Sequence, residues 1–207
     1  MTELTFEAIL KQVASSPLSA DIREHLPTLT RYASRCESVT EFGVRGVVST
    51  WALMAGRPAR LTSFDLDHYT QFGVTDGVLE AVAKANGVEF RFIQEDVLTT
   101  DKVGVTDLLF IDTLHAYKQM KMELMLHADK AKKYLVFHDI VSFGNRNEAG
   151  MVAKDGWPSG LRNYFQNLED REGINPAIVE FLRDNRQWVI EEMLTYNNGL
   201  LVLRKEG

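Results

Sequence analysis

Short apolar runs rich in β-branched and aromatic residues alternate along this chain with stretches whose apolar positions recur at helical spacing. The short runs predict strands at 39–44, 60–66, 88–93, 106–111 and 134–137. Between them, helices are predicted at 48–55, closed by Gly56 and Pro58, and at 77–86, ended by Asn86-Gly87. A longer one is predicted at 117–131, where Met120, Leu124 and Ala128 share a face. Two helical stretches, 6–14 and 21–34, precede the first strand, with Asp21 near the positive end of the second. Two more, 161–168 and 176–183, lead to strands 188–195 and 200–204, which face each other across Asn197-Asn198-Gly199 as an antiparallel hairpin. Strands alternating with helices predict an α/β protein, a mostly parallel sheet covered on both faces, here closed by the hairpin.

The 207 residues, 45% hydrophobic and 25% charged, suit one domain with one core. Its parts read as N-terminal helices (1–37), β-α units (38–141), a polar loop (142–160) and C-terminal helices with the hairpin (161–207). No apolar run reaches the ~18 residues needed to span a bilayer, and the acidic start Met1-Thr2-Glu3 does not read as a signal peptide. A lone cysteine, Cys36, rules out an internal disulfide and fits a reducing, cytoplasmic setting. The net charge of −6 argues against a long polyanion as main ligand. The dense basic cluster, Lys130, Lys132 and Lys133, falls at the end of a predicted helix, where it complements the helix dipole. A small-molecule partner is therefore expected, rather than nucleic acid or a membrane, and a homo-oligomer is compatible with all of this.

Ligands of open parallel sheets sit beyond the carboxyl ends of the strands. After the first strand stands Glu41-Phe42-Gly43-Val44-Arg45-Gly46-Val47-Val48-Ser49. Gly43 permits a sharp turn and close approach, Gly46 permits backbone angles closed to other residues, and the next helix points free N–H groups at an anionic ligand group. The second strand ends at Asp65, a natural double acceptor for a ribose diol. The third ends Gln94-Glu95-Asp96. Strand four runs Phe110-Ile111-Asp112-Thr113-Leu114-His115-Ala116-Tyr117, and strand five ends Phe137-His138-Asp139. Ionisable groups at the mouths of apolar strands cost free energy unless paired, hydrated or metal-bound, so they are read as functional.

The Glu41–Ser49 stretch resembles motif I of the class I S-adenosylmethionine-dependent methyltransferases, in a form that reads Glu-x-Gly-x-x-x-Gly-x-Ser. Val47 stands where that form has its later glycine, and its branched side chain is expected to crowd the cofactor. The resemblance implies a Rossmann-like three-layer sandwich whose mostly parallel seven-stranded sheet ends in a C-terminal antiparallel hairpin. It also implies S-adenosylmethionine as cofactor, bound by Glu41, Gly43, Gly46, Asp65 and Asp96, with Gln94 and Glu95 as alternatives to Asp96 at the adenine.

The pattern Phe-Ile-Asp-x-x-His-x-Tyr followed by a strand ending His-Asp resembles the subgroup that includes sugar and antibiotic O-methyltransferases and cephalosporin-hydroxylase-like proteins. It lacks the usual Pro-Gly-Gly turn before strand five. Similarity to metal-dependent O-methyltransferases such as the catechol enzymes implies Asp112, His138 and Asp139 as ligands of Mg²⁺ or Mn²⁺ and His115 as general base. Asp112, His115 and Asp139 are thus the expected catalytic residues, acting on a small hydroxylated acceptor. Without metal, His115 titrates near neutrality and can serve alone. The rival expectations are a ligand-binding protein without catalysis and an NAD-dependent oxidoreductase. In the loop 142–160, Asn145, Arg146 and Trp157 are the expected acceptor contacts, and His25, His68 and His127 are read as surface or helix-side histidines.

Overall fold

The structure is a computed structural model that describes residues 6–207; residues 1–5, including the acidic start, lie outside it. Seven strands form one sheet: β1 (Ser38–Phe42), β2 (Arg60–Asp65), β3 (Glu89–Gln94), β4 (Thr106–Ile111), β5 (Ala131–His138), β6 (Trp188–Leu194) and β7 (Leu200–Lys205). Their spatial order is β3-β2-β1-β4-β5-β7-β6, with β7 antiparallel to both β5 and β6. The hairpin therefore inserts its second strand beside β5, and Asn197, Asn198 and Gly199 turn it with left-handed backbone angles.

The helices are α1 (Phe6–Ala14), α2 (Leu26–Ala33), α3 (Val48–Ala55), α4 (Val78–Ala85), α5 (Tyr117–His127), α6 (Ser159–Asn167) and α7 (Asn175–Asp184). Alternation along the central strands feeds two cores. Leu108, Phe110 and Val136 face a cluster with α1 to α4, while Leu109, Ile111 and Phe137 face α5 to α7. β4 is buried at all six positions, the polar Thr106 and Asp107 included, as befits a strand covered on both faces.

Two boundaries depart from expectation. The segment 21–34 is not one helix: Pro27, which has no N–H to give, sits in the first turn of α2, and a 3₁₀ turn, Arg23–His25, precedes it. The helix expected to run to 131 stops at His127, a 3₁₀ turn follows, and β5 starts at Ala131. Lys132 and Lys133 consequently lie on β5 rather than at a helix end, and Lys133 pairs with Asp107 at 3.2 Å. Among the described residues no helix is long and apolar enough to cross a membrane. Strand order reverses between β1 and β4, which fixes where a cleft opens.

Candidate functional site

A cavity of about 410 Å³ opens at that switch point, within the usual size of small-molecule sites. Gly43, Gly46, Asp65 and Asp96 line it, together with Asp112, His115 and Asp139. Glu41 and His138 stand behind this wall rather than in it.

The loop after β1 is built on close approach. Gly43 has φ +86°, and a Cβ there would fall 2.0 Å from the Asp112 carbonyl oxygen. Gly46 does not supply the left-handed angles expected of it; Arg45 (φ 44°) and Val47 (φ 58°) do. For a β-branched residue this conformation is strained, costing on the order of 1–3 kcal/mol. Val47 is nevertheless no obstacle to a ligand: its side chain is buried in the α1–α4 core and does not line the cavity. The expected crowding is absent because the left-handed turn rotates the side chain away from the cleft. No side chain caps α3, so its first N–H groups are not consumed by a local acceptor.

Glu41 braces this loop from below. Fully buried, it accepts hydrogen bonds from Ser49 Oγ (2.6 Å), Thr50 Oγ1 (2.9 Å) and Ser63 Oγ (2.6 Å). Those three hydroxyls, two of them from the first turn of α3, surround its carboxylate, which stands behind the cavity wall. Burial pushes its pKa up to about 7 against the pull of those hydroxyls. A carboxyl protonated more readily when folded stabilises fully below its unfolded value near 4.5, and that contribution disappears as pH rises through 7. Glu41→Gln should therefore flatten the fall in unfolding free energy between pH 4.5 and 7 by about 3 kcal/mol in denaturant titrations. Glu123, buried in the same way and also raised to about 7, retains the remaining slope in that variant.

Asp65 reaches the cleft, but its Oδ2 accepts from Val44 N (2.7 Å) and Arg45 N (2.9 Å), and its Oδ1 from Asp67 N (3.0 Å). Asp96 is likewise engaged, by Leu98 N at 3.0 Å and Lys154 Nζ at 2.6 Å.

At and just beyond the ends of β4 and β5 four ionisable side chains converge. His115 Nε2 lies 3.1 Å from Asp112 Oδ1 and 3.2 Å from Asp139 Oδ2. His138 Nδ1 lies 3.2 and 3.3 Å from the same two atoms. The outward nitrogens are committed: His138 Nε2 donates to the Asp21 carbonyl (3.1 Å) and His115 Nδ1 to Glu148 (3.0 Å). Both inward nitrogens therefore face carboxylate oxygens. Only two fillings satisfy that arrangement, a proton on each imidazole or a shared cation. The spacing fits either: it is hydrogen-bond distance, and neighbouring ligands of a cation bound at about 2.0–2.2 Å also stand roughly 3 Å apart. Asp139 adds a buried Oδ1 without a hydrogen-bond partner and a strained φ of +63°. Burial disfavours charge on both histidines, but the carboxylates outweigh it, raising His115 to about 9 and His138 to about 10. Burial is also outweighed at Asp112, which the two imidazoles hold well below the usual carboxylate range.

Several cleft residues were not legible as functional. Glu148, Lys154 and Phe143 line it from the loop, and Asp21 from the N-terminal turns. Of the expected loop contacts, Trp157 instead packs on Phe165 in the core, and Arg146 lies over the Phe143 ring. His25 and His127 are not on the surface: each is buried with Nε2 donating to a carbonyl, of Asn197 (2.8 Å) and Val97 (2.6 Å). Local sequence spacing held no signal for these, since each partner is remote in the chain.

This sheet order, with a hairpin beside β5 and a cleft where β1 meets β4, is the class I methyltransferase fold. Solved structures of that fold superpose on nearly the whole chain. TomG of Streptomyces achromogenes, an O-methyltransferase from tomaymycin synthesis solved with S-adenosylmethionine, matches with TM-score 0.59 and 15% identity, over 96% of this chain and 89% of that one. The Bacillus cereus O-methyltransferase bound to S-adenosylhomocysteine gives 0.57 and 15%, over 100% and 92%. The N-methyltransferase NodS of Bradyrhizobium japonicum, with the same ligand, gives 0.55 and 16%, over 98% and 100%. No family model and no curated sequence matches the chain.

Proposed function

We propose that this protein transfers a methyl group from S-adenosylmethionine to a hydroxyl oxygen of a small acceptor, a sugar or natural product, with a divalent cation at the histidine–aspartate cluster. The observation that carries this reading is one continuous cleft joining Asp65 and Asp96 to His115 and Asp139. S-adenosylmethionine supplies an electrophilic methyl group on a sulfonium sulfur. Asp112, His138 and Asp139 would hold the cation, whose chemistry is to acidify and orient an acceptor oxygen. The His138 imidazole added to two carboxylates favours a first-row ion such as Mn²⁺ over Mg²⁺.

Each residue of this chain then has a defined task. Asp65 holds the loop amides of Val44 and Arg45 in place and keeps one acceptor site, on Oδ1, for a ribose hydroxyl. Glu148, tied to both the backbone and ring of His115, fixes that imidazole with Nε2 toward the cluster. In this reading His115 takes the acceptor proton from its neutral form, which a cation between the two carboxylates would favour; without one, their charge raises His115 to about 9 rather than leaving it near neutrality. Phe143 stacks on its outer face at 5.2 Å and keeps water from it. Val47, the best support for a protein without catalysis, points into the core, so the non-catalytic reading has no structural observation in its favour.

Titration calorimetry should show S-adenosylmethionine and S-adenosylhomocysteine binding and NAD not binding. At a hundredfold excess over Kd, S-adenosylhomocysteine should raise the Tm by roughly 5–10 °C. Mn²⁺ should raise it further in a way that EDTA reverses. Absence of binding by either sulfur ligand would end the reading.

A further inference from the structure

The acid at the end of β3 is the expected reader of an adenine amino group, yet both Asp96 oxygens already have donors, Leu98 N and Lys154 Nζ. Another acceptor is present in the same cleft. Gln119, in the first turn of α5, lines the cavity along with Asp96 and Thr113. Its Nε2 donates to Glu123 Oε1 at 2.7 Å, and the Thr113 hydroxyl donates to the same oxygen at 2.6 Å. Glu123 lies one helical turn further along α5 and is completely buried.

These contacts leave Gln119 no freedom of amide orientation. Glu123 Oε1 takes two donors, and the other oxygen, Oε2, is buried without a partner. Whether or not Glu123 carries a proton on Oε2, its Oε1 remains an acceptor, so the NH₂ of Gln119 must face inward. The Gln119 Oε1 is then the amide atom turned to the cavity. It is not among the buried polar atoms left without a partner, which agrees with an oxygen open to the cleft.

We propose that Gln119 selects the nucleobase of the cofactor by accepting a hydrogen bond from the adenine amino group, and that Glu123 is the positioning residue that fixes which face of the Gln119 amide does so. This deepens the cofactor reading above and rests on it. An adenine presents an N–H donor at its 6-position, whereas hypoxanthine presents a carbonyl oxygen there. A fixed outward carbonyl accepts from the first and repels the second, and polar sites of this kind discriminate more strongly than apolar ones.

The test compares Kd for S-adenosylhomocysteine and S-inosylhomocysteine by calorimetry in wild type, Gln119→Met, Glu123→Met and Glu123→Gln. Wild type should favour the adenine ligand by about tenfold or more. Gln119→Met removes the acceptor, and Glu123→Met frees the amide to turn over, so each should shrink that ratio about fivefold or more. Glu123→Gln keeps an oxygen at the Oε1 position and should restore the wild-type ratio, which loss of packing alone would not explain. Gln119 borders the cavity, so its variant tests the idea even if Glu123→Met fails to fold. An unchanged ratio in Gln119→Met overturns the proposal while leaving the cofactor reading intact. Failure of wild type to bind either ligand overturns both.

Discussion

Gly43→Ala should unfold about 3–5 kcal/mol more easily than wild type and bind S-adenosylhomocysteine at least a hundredfold more weakly. The added Cβ falls 2.0 Å from the carbonyl oxygen of Asp112 and 2.7 Å from its carbon, both of them backbone atoms that cannot rotate aside. The φ of +86° adds about 1–2 kcal/mol for any L side chain. The clash can be relieved only by parting the ends of β1 and β4, which are held together by Asp112 N donating to Phe42 O at 2.9 Å. That movement also displaces Asp112 from His115 and His138, so stability and site geometry fail together. Gly46→Ala is the control. Its Cβ would meet Leu18 Cδ1 at 2.9 Å, the far end of a flexible side chain, and its backbone is not left-handed. Stability there should change by less than about 1 kcal/mol. Denaturant titration with calorimetry of both variants checks the pair, and equal effects at the two glycines would refute the close-approach explanation.

Asp112→Asn should lower the rate of methyl transfer by about 10²–10⁴ while leaving S-adenosylhomocysteine affinity within a few-fold. Asp112 Oδ1 touches both imidazoles, at 3.1 and 3.2 Å, slightly closer than Asp139 Oδ2 at 3.2 and 3.3 Å. Asparagine keeps the shape but removes the charge, and its amide can offer NH₂ where the cluster needs an acceptor. His138, almost wholly buried, is left with Asp139 as its remaining carboxylate partner, at 3.3 Å. Stability at pH 7 should fall by about 1–3 kcal/mol for that reason. The Mn²⁺-dependent rise in Tm should disappear as well. Single-turnover transfer, binding of the sulfur ligand and melting with and without Mn²⁺ separate these effects. Near-normal transfer in the variant would place the chemistry elsewhere in the cleft.

The sequence carried the elements well where local physics decides them. The strand 106–111 and helix 48–55 fall where patterning put them, because the apolar run 108–111 and a largely apolar helix bounded by Gly56 and Pro58 leave few alternatives. Strand-end acids and histidines were also legible, since an apolar strand has no packing use for Asp112, His138 or Asp139. What the pattern could not show was which way a side chain turns once its neighbours arrive. The hydroxyls around Glu41 are one example, because Ser49, Thr50 and Ser63 close on its carboxylate only when α3 and β2 pack. Val47 looked like an obstruction and faces the core, because the turn takes a left-handed angle that no local propensity favours.

On its own, then, the order of residues determined the α/β class, the succession of strands and helices and the acidic and imidazole groups set at the strand mouths, all of which follow from periodicity and the cost of burying charge. Folding in three dimensions decided the rest. It brought the imidazoles of His115 and His138 to 3.1–3.3 Å from the carboxylates of Asp112 and Asp139, drew Glu148 and Lys154 into the cleft and turned the Gln119 amide. Those outcomes depend on contacts between segments far apart in the chain, and such contacts leave no periodic trace in the residues on either side.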